Sequence, residues 1–328
     1  MGVMSPIEAV SPSAPSGAPL GPTPEAPLTE TSRYRALDVP VRGGDLRVGV
    51  WEPVGARSEI ASTPTVIAVH GITATHRCWP AVARQLAGFR IVAPDLRGRG
   101  RSRDLPGPYG MAQHADDIEA VLDRLQVPQA IVLGHSMGGF VAVALHHWHP
   151  DRVSSVVLVD GGLPFLVPAG MSRDDYVQAI LGLVIKRLSM TFPDPESYRQ
   201  FYRDHPAFAG EWNDDVADYV DYDLVGEPPN LKSTALPAAL AGDSVDQDDL
   251  SWLIPALEKL PDPTLFLRSP RDLANQEPGV WPREWADSWA QRIPALRVRD
   301  VPGVNHYTML FNDAGVTAVT QAVRDAVQ

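Results

Sequence analysis

Residues 130–145 of the chain read AIVLGHSMGGFVAVAL, and this stretch decides the fold. An apolar run is followed by a pentapeptide of the pattern G-x-S-x-G, from Gly134 to Gly138, and then by an apolar run long enough for a helix. In this context the pattern predicts a strand, a sharp turn and a helix, with Ser136 raised at the turn. Glycine at both ends suits a turn in which a Cβ would clash. A serine presented in this way is typical of a nucleophile, so the stretch predicts hydrolase or acyl-transferase chemistry.

Composition and charge limit the kinds of protein that this chain can be. Of its 328 residues, 44% are hydrophobic and 21% are charged, which predicts one large globular domain or a domain with a sizeable insertion. The net charge of -12 argues against nucleic acid or an anionic membrane surface as a partner. Cys78 is the single cysteine, so no intrachain disulfide can form. The sequence shows no secretory signal pattern and no apolar run of membrane-spanning length, and we therefore expect a cytoplasmic protein.

Predicted strands and helices alternate along most of the chain. Apolar runs predict strands near residues 65–69, 90–94, 153–159, 264–267 and 296–301, and helical spacing predicts helices near 78–86, 111–125, 281–293 and 314–327. Two alternating stretches joined at Gly43 and Gly44 predict a hairpin before them. Strand alternating with helix predicts an α/β fold with a mainly parallel central sheet flanked by helices.

The same pattern divides the chain into four predicted segments. Residues 1–33 are rich in Pro, Ala and Ser, which predicts a disordered tail. Residues 34–162 and 261–328 carry the strand and helix pattern and form the predicted core. Residues 163–260 show mostly helical apolar spacing, which predicts a cap inserted at one end of the sheet.

Four segments in this order resemble the α/β-hydrolase family. They are His70-Gly71 leading to Trp79, the loop DLRGRGRS at residues 95–102, the turn at Ser136, and VPGVNH at residues 301–306. The resemblance covers about residues 35–328. It implies the α/β-hydrolase fold with a helical cap, the activity of a serine esterase of the carboxylesterase kind, and no metal or organic cofactor.

A serine hydroxyl acts as a nucleophile when a base removes its proton, and a carboxylate, the acid of the triad, holds that base in the right tautomer. His306 is the candidate base, because it lies past the last predicted strand on a loop that can return to Ser136. The resemblance favours Asp272 as the acid, although Ser269 stands where the family usually has glycine before it. Asp160, at the end of the strand that follows Ser136, is the alternative acid, since a minority of the family places its acid there.

Further site residues follow from the resemblance and from the cap. The resemblance implies an oxyanion hole made by the backbone N–H groups of Ile72 and Met137. In the cap, Trp212, Tyr202 and Tyr219 are candidates for lining a substrate pocket. No arrangement of ligands in the sequence indicates a metal site.

These observations predict hydrolysis of a carboxylic ester of small to medium size through an acyl-enzyme on Ser136. A monoalkyl phthalate is one candidate ester, and a small molecule is the expected partner. Carbon–carbon bond hydrolysis of ring-fission products, lactone hydrolysis and thioester hydrolysis use the same residues and stay open as alternatives. A small-molecule receptor on the same fold is the alternative that is not an enzyme. The sequence does not indicate the acyl group, the alcohol or the oligomeric state.

Overall fold

The computed structural model describes residues 32–53, 63–247 and 249–327. The predicted tail therefore lies outside the described residues except for its last two, which belong to the first strand. The strands are β1 (Ser32–Val41), β2 (Gly44–Pro53), β3 (Thr65–Val69), β4 (Arg90–Pro94), β5 (Ala130–His135), β6 (Val153–Val159), β7 (Leu224–Val225), β8 (Lys232–Ser233), β9 (Thr264–Arg268) and β10 (Leu296–Asp300). The predicted strands all form. Those predicted near 65–69, 90–94, 153–159, 264–267 and 296–301 end within one residue of the prediction, whereas β1, β2 and β5 extend two or three residues beyond the predicted runs.

The large sheet has eight strands in the order β1-β2-β4-β3-β5-β6-β9-β10. β2 pairs antiparallel with β1 and with β4, and every other neighbouring pair is parallel. The mainly parallel α/β sheet predicted from the sequence is therefore confirmed. β5 lies between β3 and β6, so the residues that follow these three strands meet at one edge of the sheet.

Helices cover both faces of the sheet. They are α1 (Pro80–Gln85), α2 (Met111–Arg124), α3 (Met137–Trp148), α4 (Arg173–Ser189), α5 (Pro195–Arg203), α6 (Asp214–Tyr222), α7 (Pro237–Gln247), α8 (Leu250–Leu257), α9 (Arg283–Arg292) and α10 (Asp313–Asp325). None of these helices is both long and apolar enough to cross a membrane.

Alternation along the buried strands divides the core into two layers. In β3, Ile67 and Val69 pack on the face covered by α2, α3, α8 and α9, whereas Val66 and Ala68 face α1 and α10. All four side chains are fully buried, as expected for a strand covered on both faces.

Helices α4 to α8 and the small β7–β8 pair lie between β6 and β9, and we call residues 163–260 the cap. The helical character predicted for this segment is confirmed. The division of the chain into a tail, a two-part core and a cap stays a prediction as to its boundaries.

Candidate active site

Ser136 forms a sharp turn between β5 and α3. Its backbone has φ 56° and ψ -125°, a conformation that residues other than glycine rarely adopt. The Ser136 N–H donates to the carbonyl of Val159 at 3.0 Å, and the Gly139 N–H donates to the carbonyl of Ser136 at 2.9 Å. These two bonds hold the turn against β6 and against the start of α3.

Close backbone contacts make glycine necessary around Ser136. A Cβ on Gly134 would lie 2.1 Å from the carbonyl oxygen of Gly138, and one on Gly138 would lie 2.1 Å from that of Val69. The clash predicted for the two flanking glycines is therefore present. A third contact was not predicted from the sequence: a Cβ on Gly161 would lie 2.0 Å from the backbone carbonyl oxygen of Ser136.

His306 is paired with Asp160. Its Nδ1 lies 2.7 Å from Asp160 Oδ2, and both side chains are buried. The second oxygen, Asp160 Oδ1, accepts the N–H of Ser269 at 3.0 Å. A carboxylate on Nδ1 fixes the tautomer in which Nε2 can accept a proton. Ser136 and His306 line the same pocket.

Asp272, the acid favoured from the sequence, is not the carboxylate that binds His306 Nδ1. Its Oδ1 accepts the N–H groups of Ala274 and Gln276, at 2.9 and 2.8 Å, within its own turn. Ser269, where glycine was expected, gives its N–H to the carboxylate of Asp160. The structure therefore corrects the order of the two candidates, because the loop after β9 supports Asp160 and does not present Asp272.

The residues of the predicted oxyanion hole lie beside Ser136. Met137 is the first residue of α3, so its N–H has no acceptor within the helix. Gly71, which precedes Ile72, runs so close to the serine that a Cβ on it would lie 3.1 Å from Ser136 Cβ. Both Ile72 and Met137 line the pocket.

His70 holds the loop that carries Ile72. Its Nε2 accepts the N–H of Leu96 at 2.9 Å, and its Nδ1–H donates to the carbonyl of Gly71 at 2.7 Å. The two bonds require a neutral ring, and burial lowers the pKa of His70 to about 4. The carbonyl that His70 binds belongs to the peptide whose N–H is that of Ile72, so His70 orients this peptide.

His135, next to the serine, is a residue whose position the sequence did not explain. Its Nε2–H donates to the backbone carbonyl of His306 at 2.8 Å, and this bond connects the loop that carries His306 to the end of β5. Burial, together with the neighbouring His306, lowers the pKa of His135 to about 3, so this ring is neutral at physiological pH.

The pocket above Ser136 has a volume of about 920 Å³, its open mouth included. Aromatic and aliphatic side chains dominate its wall, among them Phe165, Tyr176, Val184, Tyr219, Trp281 and Phe311. Thr73, Ser244 and Gln247 contribute neutral polar groups. None of the described residues that line it is Asp, Glu, Lys or Arg.

Of the three cap residues predicted to line a pocket, only Tyr219 does so. Tyr202 is buried away from it, where its hydroxyl accepts a hydrogen bond from Arg187. Trp212 packs at the surface under the guanidinium of Arg203, 4.5 Å from its ring centre. Both predictions for these residues are corrected. Tyr202 lies on a helix, where spacing alone does not tell a core face from a pocket face, and Trp212 lies in the loop before α6. Phe165 and Trp281, whose rings stack 5.2 Å apart, were missed.

Asp95 and Arg97, in the loop after β4, each bind another buried residue and do not pair with each other. Asp95 accepts the N–H and the Nδ1–H of His76, each at 2.8 Å. Arg97 binds both oxygens of Asp117 at 2.8 Å. Across residues 32–53, 63–247 and 249–327, no group of three or more His, Cys, Asp or Glu side chains is placed to hold a metal ion.

The chain belongs to the α/β-hydrolase family, since the family model described as alpha/beta hydrolase fold matches residues 64–313. Among curated proteins, Lipase LipV of Mycobacterium tuberculosis is 38% identical over 116 residues, which are 35% of this chain and 43% of that protein. The 3-hydroxybutyrate-oligomer hydrolase of Cupriavidus necator is 34% identical over 143 residues, 43% of this chain and 47% of that protein. The chain thus spans less than half the length of these relatives.

Solved structures support the same fold. The crystal structure of E-2-(acetamidomethylene)succinate hydrolase superposes with a TM-score of 0.70 at 22% identity, covering 89% of this chain and 100% of that one. At this identity the likeness shows the fold alone. The family resemblance noted in the sequence is therefore confirmed.

The neutral ring of His70 predicts a loss of stability in acid. In the unfolded chain its pKa is near 6.5, so between pH 6.5 and 4 the unfolded state binds a proton that the folded state does not. The free energy of unfolding should therefore fall as the pH is lowered through this range, with His70 contributing up to about 1 kcal/mol per pH unit. Denaturant unfolding of wild type and His70→Gln at several pH values measures this contribution. The variant should be less stable at neutral pH, and its free energy of unfolding should fall less steeply with pH below 6.5. Above pH 7.5 the dependence on pH should be the same for both proteins. An unchanged slope below pH 6.5 would contradict the neutral state assigned to His70.

Proposed function

We propose that the protein is a serine hydrolase that cleaves carboxylic esters through an acyl-enzyme on Ser136. The observation that carries the proposal is the buried pair of His306 and Asp160, joined at 2.7 Å, at the pocket into which Ser136 is raised. Membership of the α/β-hydrolase family and relatives named as a lipase and an oligomer hydrolase support it.

In this reaction His306 Nε2 removes the proton of Ser136 Oγ as the oxygen attacks the ester carbonyl carbon. Asp160 stabilises the imidazolium that forms. The negative oxygen of the tetrahedral intermediate accepts hydrogen bonds from the N–H groups of Ile72 and Met137. The imidazolium then protonates the leaving alcohol. Water, activated by His306, attacks the acyl-enzyme and releases the acid and free Ser136.

The pocket favours an ester whose bound parts are apolar or aromatic and uncharged. Its wall is mostly aromatic, with Phe165 stacked on Trp281, and its described lining carries no formally charged residue. A carboxylate on the substrate would lose its hydration without gaining a cation. This argues against a monoalkyl phthalate and against the carboxylate-bearing products of ring fission as substrates.

The direct test is hydrolysis of p-nitrophenyl esters of graded chain length by wild type and by Ser136→Ala. Wild type should release p-nitrophenol and form a stoichiometric covalent adduct with a fluorophosphonate, and Ser136→Ala should do neither, because it lacks the attacking oxygen. A wild-type protein that binds an ester without cleaving it would favour the receptor alternative.

The two acids are distinguished by matched substitutions. Asp160→Asn should lower kcat by about 10³- to 10⁴-fold, because an amide cannot hold His306 in the required tautomer or stabilise its cation. Asp272→Asn, the control, removes a charge from a neighbouring loop and should leave kcat near that of wild type. Steady-state kinetics of both variants on one ester measures the difference, and the reverse order of effects would restore Asp272 as the acid.

The absence of Asp, Glu, Lys and Arg from the described lining predicts discrimination against anionic esters. The neutral p-nitrophenyl valerate and the p-nitrophenyl monoester of glutaric acid have the same leaving group and acyl chains of similar length. The anionic ester should show a kcat/KM at least ~100-fold lower, because its carboxylate is buried without a partner. Equal kcat/KM values would contradict this substrate class and would favour the phthalate and ring-fission substrates.

A further inference from the structure

Arg99 is a buried cation that takes no direct part in the proposed reaction. Its side chain is fully buried in the loop after β4. The Nε–H donates to the carbonyl of Ile72 at 2.8 Å, and Nη2 lies 3.9 Å from Met137 Sδ. Nη1 donates to the carbonyl of Arg97 at 2.9 Å. One guanidinium therefore contacts both residues of the proposed oxyanion hole, and sequence analysis did not single it out.

The counter-charge of Arg99 comes from the cap. Asp243 on α7 is fully buried, and its Oδ2 lies 2.5 Å from Arg99 Nη1. Asp243 Oδ1 accepts the N–H of Gly110 at 2.7 Å and the Nε2–H of His114 at 3.0 Å. Burial alone would raise the pKa of Asp243, but His114 and Arg99 outweigh it and lower that pKa to about 2. The carboxylate is therefore charged at neutral pH.

Other contacts hold the same loop against the cap. A Cβ on Gly98 would lie 2.3 Å from the Cβ of Ala239 on α7, so the loop and the helix touch. The carbonyl of Gly98 accepts the N–H of Leu236 at 2.9 Å, and the Gly100 N–H donates to Thr234 Oγ1 at 3.1 Å. The loop and the start of α7 are thus joined on both sides of residue 99.

The peptide groups before and after Ile72 are each held by a hydrogen bond from a buried side chain. His70 binds the carbonyl of Gly71, which belongs to the peptide before Ile72, and Arg99 binds the carbonyl of Ile72, which belongs to the peptide after it. Together these bonds restrict both backbone dihedral angles of Ile72. The Ile72 N–H lies in the peptide before Ile72, and the two angles relate this peptide to the one that Arg99 holds, so its direction is coupled to the position of Arg99.

Stability is a weak reason for the Arg99–Asp243 pair. Burial removes the hydration of both charges, and an apolar pair of similar volume is often at least as stabilising. An apolar pair could not supply the hydrogen bond to the Ile72 carbonyl. The feature that requires an arginine here is the backbone geometry of the oxyanion hole.

We propose that Arg99 and Asp243 are positioning residues of the oxyanion hole: Asp243 holds Arg99 in place, and Arg99 orients the peptides on either side of Ile72. This role rests on the proposed function, because it presupposes a negative oxygen bound by Ile72 and Met137. Helix α7 also brings Ser244 and Gln247 to the pocket. One cap helix therefore both contacts the substrate pocket and fixes the group that stabilises the transition state.

The isosteric variant Asp243→Asn tests this role, because it leaves Arg99 charged and without its counter-ion. With a p-nitrophenyl ester, kcat should fall by about 10- to 100-fold and KM should change by less than about threefold, since a misdirected donor weakens the transition state and not the bound ester. A trifluoromethyl ketone, which forms an oxyanion adduct with Ser136, should lose affinity by a factor similar to that in kcat/KM. A merely structural role would lower Tm and leave these two quantities unchanged.

Asp246→Asn is the matched control on the same helix. Asp246 Oδ2 accepts the N–H of Met111 at 2.5 Å, so it also joins α7 to the start of α2, but no hydrogen bond or ion pair connects it to Arg99 in the part of the chain that the structure describes. This variant should lower Tm and keep kcat within about twofold of wild type, because the contact that it weakens does not reach Ile72.

A double variant, Arg99→Met with Asp243→Leu, covers the case in which Asp243→Asn does not fold. It removes both charges, so no unpaired ion is buried, although the N–H groups of Gly110 and His114 lose their acceptor. The folded variant should show the same loss of kcat and of ketone affinity. Wild-type kcat and ketone affinity in either folded variant would overturn the positioning role. If wild type itself neither cleaves esters nor reacts with a fluorophosphonate, the proposed function fails, and the positioning role fails with it.

Discussion

The contact between the backbone of Ser136 and the backbones around it is the constraint on which the site depends. The turn has a positive φ, and a Cβ on Gly134, Gly138 or Gly161 would lie within 2.1 Å of a carbonyl oxygen. Gly161 is the least expected of the three, because it brings the loop after β6 against the serine. Asp160 immediately precedes it, so the close approach that stabilises the turn also delivers a carboxylate to His306. Ser136 and Asp160, the proposed nucleophile and acid, are therefore positioned by one packing contact.

The sequence was sufficient to predict the strands, the turn at Ser136 and the loop of His306, because each depends on a local pattern with a strong physical cause. The choice of acid was not local. Asp160 and Asp272 follow β6 and β9, which are neighbours in the sheet, so topology brings both to the same edge. The hydrogen bonds of each carboxylate distinguish them. The Asp272 carboxylate accepts backbone N–H groups of its own turn, whereas the Asp160 carboxylate is bound to His306. The prediction for Tyr202 failed for a related reason, since which side of a cap helix faces a pocket depends on how the helices pack. Trp212 lies in a loop, whose path local spacing does not predict.

Charges around the site are arranged in a layer behind the pocket wall. Asp160, Arg99 and Asp243 are fully buried and bound to defined partners, whereas none of the described lining residues is Asp, Glu, Lys or Arg. This separation has an electrostatic consequence. Within a poorly polarisable surrounding, fixed dipoles and charges act on the reacting oxygen with little screening.

The arrangement also explains why the cap and the core of this protein are not independent parts. Asp243 occupies a position on α7 one residue before Ser244, which lines the pocket, and one helical turn before Gln247, which also lines it. Helix α7 therefore cannot be displaced to fit a different substrate without moving the partner of Arg99. Any change of specificity that keeps the oxyanion hole intact has to come from side chains on a fixed α7, or from the other parts of the cap. In the proposed function, substrate selection and transition-state stabilisation thus both depend on α7, and the buried pair of Arg99 and Asp243 connects them.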